Sequence, residues 1–116
     1  MIKYFAIGKY YNHLYKHLKY RYSALETYTK GQIKRTVEEC KFNKKYLPYA
    51  YALFLSKESL NEVISEEFEN ESPEHLRNYI AKRFFGGNTE YTFKKHILSA
   101  VGNSGHDSSG ASGDGD

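Results

Sequence analysis

The run "YLPYAYALFL", residues 46–55, constrains this chain more than any other stretch. Ten residues that are apolar on every side cannot lie on a surface, so the rest of the chain must wrap around them. The run is too short to cross a membrane and carries Pro48, so it reads as a buried central helix and not a span. Asn43 and Pro48 mark its start.

The sequence on either side reads as helical cover. One helix is expected from about Lys3 to Tyr22. Thr29 followed by Gln32 forms a capping box that opens a second, with Ile33, Val37 and Cys40 facing inward. Ser56, with Glu58 in the first turn, caps the helix after the central one. Ser72, Pro73 and Glu74 place a cap, a first-turn proline and an acid in the preferred order. Gly86-Gly87-Asn88 ends that helix, because glycine takes the left-handed conformation readily. Thr92 is expected to start a short sixth, with Phe93, Ile97 and Val101 inward.

Two of these segments share a pattern. "LNEVISEEF" (60–68) and "LRNYIAKRF" (76–84) match at Leu60/Leu76, Ile64/Ile80 and Phe68/Phe84, which predicts a helical hairpin. Each also sets a charge within its apolar stripe. Glu67 and Arg83 are therefore expected at the hairpin rim, either paired with each other or simply reaching solvent.

The fold class that follows is all-α: a compact single domain of five to six helices over residues 1–101, then a disordered tail over 102–116. That tail, "GNSGHDSSGASGDGD", has five Gly, four Ser and three Asp, and Ala111 is its one aliphatic residue. It buries too little to offset the entropy of ordering. Either a native solubilising tail or an artificial addition has this composition. Lys3, Lys9, Lys16 and Lys19 interrupt any signal-type apolar run, and the single cysteine, Cys40, cannot form an internal disulfide. A cytoplasmic location is the expectation.

Charge is distributed unevenly. Residues 1–50 carry 11 Lys or Arg against 3 Glu, a balance of +8, within a chain whose net charge is +3. Much of that charge sits on the first helix. At about 100° per residue, Tyr4, Ile7, Tyr11, Leu14, Tyr15, Leu18 and Tyr22 share one face, with their rings turned inward. Lys9, His13, Lys16, His17 and Tyr20 fall opposite, with Lys19 and Arg21 on the flanks and no acid before Glu26. This face is the candidate surface for an acidic protein partner. Nonspecific nucleic-acid binding is the alternative, because lysines along a helix can follow a phosphate backbone. Membrane binding is not expected, since the face lacks the large apolar residues that insertion needs. A plainly solvated face is the blander reading.

No motif for catalysis emerges. His13 and His17 have the i, i+4 spacing of paired zinc ligands, yet the first helix supplies no third ligand, so no metal and no cofactor are expected. Cys40 reads as a small core residue with no histidine beside it. "RFFGGNTEY" lacks the Lys-Ser/Thr pair of a phosphate loop, and its glycines follow a helix where a phosphate loop precedes one. A helix-turn-helix over residues 28–54 fails because its second helix would present Tyr, Ala, Leu and Phe to the groove. The expectation is a non-enzyme.

Three stretches carry a family likeness: "YTKGQIK" at Tyr28–Lys34, "YAYALFLS" at Tyr49–Ser56 and "IAKRFFGGN" at Ile80–Asn88. Together the chain resembles a family of short bacterial proteins of unknown function. The resemblance implies no activity, cofactor or catalytic residue, since the shared positions are helix starts, a central helix and a helix stop. The functional expectation is a small protein-interaction or accessory module.

Overall fold

The capping signals become the helix starts of the computed structural model, which describes residues 2–92. The first rod consists of α1 (Ile2–Lys9), a π-helical turn (Tyr10–Leu14) and α2 (Tyr15–Tyr22); then come α3 (Lys30–Glu39), α4 (Leu47–Phe54), α5 (Lys57–Glu67) and α6 (Pro73–Phe84). Counting the rod once, the described residues form five helices and no strand. The expected sixth helix and the tail lie outside the described residues.

Thr29 accepts from the Gln32 amide at 3.1 Å, and the Gln32 side chain returns to the Thr29 amide at 3.0 Å. This reciprocal box satisfies two donors that a helix start leaves open. Thr29→Ala is expected to cost about 1 kcal/mol, read as a lower urea midpoint, with Thr29→Ser close to the parent. A midpoint unchanged by the alanine would mean that tertiary packing alone holds this end. Ser56 and Ser72 cap α5 and α6 through the amides of Ser59 and His75, each at 3.2 Å. Gly86 and Gly87 end α6 with φ of 62° and 88°, and the Gly87 amide reaches back to the Ala81 carbonyl at 2.8 Å.

Every residue of α4 is buried. The helix touches α3, α5, α6 and the π turn, so the apolar run lies at the centre. Its rings meet rings from all sides. Tyr49 lies edge-on to Tyr79, Phe54 packs on Tyr15 and Tyr28, and Tyr51 meets Phe68.

A π turn interrupts the first rod. Such a turn closes i→i+5 bonds in place of i→i+4 bonds. The buried series is Ile7, Tyr10, Leu14 and Leu18, all fully enclosed. Tyr10 replaces Tyr4, which the α-helical wheel turned inward but which is 53% exposed. Tyr11, Tyr15 and Tyr22 are partly buried against the core, as the wheel placed them. Tyr10 donates its hydroxyl to the Asn43 carbonyl and thereby pins the α3–α4 turn to the rod.

α5 and α6 pack together as the expected hairpin. The rim pair does not form. Glu67 is bonded to Lys30 of α3. Arg83 lies between the rings of Tyr4 and Phe84, 3.7 and 4.7 Å from their centroids, and donates to the Tyr4 carbonyl at 2.9 Å. Gly8 makes room for it, since a Cβ there would meet the guanidinium at 3.1 Å. An arginine with two aromatic faces and a carbonyl on offer gains more there than from a carboxylate in water.

Candidate groove on the basic face

The seven residues of the predicted surface divide into three groups. Lys16, Lys19 and Tyr20 are exposed on α2, with Tyr20 at 91%. Lys9, His13 and His17, also exposed, line an open groove. Arg21 belongs to neither group. Its guanidinium is bonded to Glu39 of α3 and reaches the buried Thr36 hydroxyl at 3.3 Å. The Arg21 guanidinium holds the Glu39 carboxyl below the usual carboxylate range. The expectation that Arg21 belongs to a free cationic face is therefore corrected. Its charge is spent on joining α2 to α3.

Among the described residues no ion pair involves Lys9, Lys16 or Lys19. Their charge is left to solvent or to a partner.

The groove has a volume of about 660 Å³ and runs between the first rod and the turn after α3. Its apolar end is made by Ile2, Phe5 and Ala6 of α1, and Phe42 lines it further along, beside His17. Ile2 is 71% exposed and Phe5 67%, next to the half-exposed Tyr4. These are three of the five large apolar side chains left in water among the described residues, and they crowd at one end of the rod. The basic end is made by Lys9, His13, His17 and Lys41. No carboxylate lines the groove among the described residues.

Lys41 stands in an unusual conformation. α3 ends in a Schellman arrangement, in which the Phe42 amide returns to the Val37 carbonyl at 2.9 Å and the Lys41 amide to Glu38 at 3.4 Å. The residue between needs a left-handed backbone, and glycine is usual there. Here it is Lys41, with φ of 61°. A side chain in that region costs about 1 kcal/mol. The turn thus keeps a cation at the groove at some expense of stability.

Cys40 corrects another expectation. On the wheel it shares a face with Ile33 and Val37, but it caps the helix, and the chain swings away at Lys41. Thr36 is fully buried in its stead, with its hydroxyl given to the Gln32 carbonyl at 2.7 Å. Cys40 is half-buried at the groove, and its Sγ lies 3.5 Å from His17 Nδ1. A histidine does stand beside the thiol, brought there by helix packing across 23 positions. The His17 ring meets the Phe42 ring edge-on, with centroids 5.6 Å apart. Among the described residues no three His, Cys, Asp or Glu side chains gather closely enough to hold a metal ion.

Sequence reasoning missed Phe5, Lys41 and Phe42 as surface participants. The excess of Lys over acid in residues 41–45 was the one available signal for the turn. No helix of the described residues is long and apolar enough to cross a membrane. A family model described as "Family of unknown function (DUF6559)" matches residues 1–116. No curated protein and no solved structure matches the chain.

Proposed function

The chain belongs to that family of unknown function, and on this premise we propose that it is a non-catalytic interaction module whose basic first rod binds an acidic protein in the cytoplasm. One observation carries the reading. Lys9, Lys16 and Lys19 are exposed along one rod, and none enters an ion pair with the glutamates of the described residues. Surface lysines that serve only solubility are usually interspersed with acids. A stripe of one sign speeds encounter with the opposite sign and rejects like-charged partners.

Cross-linking in host extract, cleared of nucleic acid by nuclease, tests this with the triple variant Lys9→Glu, Lys16→Glu, Lys19→Glu. All three side chains are exposed, so the fold should persist. An acidic protein captured by the parent should be lost, with affinity at least about tenfold lower at low salt. Equal capture by both proteins would end the proposal. Salt-sensitive binding of oligonucleotides that disappears in the triple variant would transfer the stripe to nucleic acid.

A further inference from the structure

We infer that the groove between the first rod and the Cys40–Asn43 turn receives an apolar side chain from an acidic segment of the protein partner. This rests on the reading of the rod given above and names what that partner must present. The two ends of the groove specify the occupant. Ile2 and Phe5 offer an apolar seat at one end, and Lys9 and Lys41 set positive charge along the lining with no carboxylate among the described lining residues. A segment with a leucine- or phenylalanine-like anchor flanked by Asp or Glu complements both ends, whereas a purely acidic polymer would leave the apolar seat wet.

Two features show that the seat is held in shape. Tyr10, fully buried in the rod, bonds the carbonyl of the lining residue Asn43 and fixes that wall to the rod. Lys41 keeps a strained left-handed backbone where glycine would be easier. Strained residues and π turns gather at functional sites because the local cost persists only where something else is served.

A second copy of this chain fits poorly as occupant. An isologous interface would set Lys9 and Lys41 of one copy near the same residues of the other, with no acid in the groove lining to separate them. A lipid surface would also accept the cations, and vesicles are one arm of the test below.

Selection from a displayed random peptide library on the full chain tests the inference. Enriched peptides should carry an apolar residue next to Asp or Glu. Their binding should fall at least about tenfold with Phe5→Ser, whose exposed ring the fold does not need. Lys41→Gly should weaken binding several-fold while raising the melting temperature, a combination that loss of folding cannot produce. Bound peptide should also slow alkylation of Cys40, the one thiol in the chain. If Lys16→Glu with Lys19→Glu removes binding but Phe5→Ser and Lys41→Gly leave it intact, the acidic partner stands and the groove is excluded. Enriched peptides without acids would overturn both readings. A dimer that Phe5→Ser dissolves, or anionic phosphatidylserine vesicles that capture the protein through Phe5, would replace the protein segment with those occupants.

Discussion

Raising the pH above about 10 unfolds this protein in a single cooperative step, and its buried tyrosines ionise with that step. Tyr10 and Tyr51 are fully enclosed and Tyr91 nearly so. Burial pushes all three hydroxyls above the usual tyrosine value, with Tyr51 up to about 12 and the charges of Glu67 and Glu38 adding to the effect there. Each group holds its proton more tightly folded than unfolded. Stability is therefore complete below about pH 10, where both states are protonated, and is lost as the pH climbs from there through the folded-state values. Three such groups give a slope of about 4 kcal/mol per pH unit, so two units approach the whole stability of a small domain. Lys3 and Lys30, whose values are also raised, act with the same sign. The measurement follows tyrosinate absorbance and far-ultraviolet circular dichroism through one titration. Tyr10, Tyr51 and Tyr91 should ionise only as the helical signal collapses. Smooth ionisation of all 12 tyrosines with helicity intact would refute the account.

Arg77→Leu is the substitution expected to cost most through lost hydrogen bonding, about 3 kcal/mol. Arg77 is 7% exposed on α6. It donates through Nε to the Thr89 carbonyl at 2.6 Å and through Nη2 to the Tyr91 carbonyl at 2.9 Å, and its guanidinium lies 4.1 Å from the Tyr91 ring centroid. Tyr91 in turn stacks on Phe85 and donates to the Ala52 carbonyl at 2.6 Å. The arginine thus holds the segment after α6 against α6, and Tyr91 ties it to the central helix. A leucine keeps much of the volume and leaves two inward-facing carbonyls without donors. Arg77→Lys should recover only part of the loss, because one ammonium cannot reproduce the planar fork. Urea unfolding of the parent and both variants decides the matter. A loss below about 1 kcal/mol for the leucine variant would show that water replaces the guanidinium at little cost.

The helix boundaries were legible because capping is a local affair. Thr29 with Gln32, Ser72 with Pro73, and Gly86 with Gly87 act across three or four positions, and short-range hydrogen bonding decides them whatever the rest of the chain does. The groove was half legible. Lys9, His13 and His17 could be placed on the outer face, but nothing in the spacing announced the wall opposite them. Arg21 could not be told from its lysine neighbours, since its partner Glu39 stands 18 positions away. Cys40 and Tyr4 were misplaced because a helical wheel tells neither where a helix stops nor what covers it. The chain leaves the helix at Lys41, and Tyr4, near the start of α1, meets only Arg83 and the exposed Phe5 among the described residues.

By itself, the amino-acid order determined an all-helical body, its starts and stops, and a central apolar helix. It also determined an excess of positive charge in the first half. Propensity, capping and periodicity act between near neighbours, so a linear reading captures them. Only the tertiary structure decided which charges were neutralised, which rings were hidden, and that a thiol, two imidazoles and two aromatic rings meet across one groove. Those outcomes depend on which helices touch, and contacts between distant segments are chosen by packing the whole core at once.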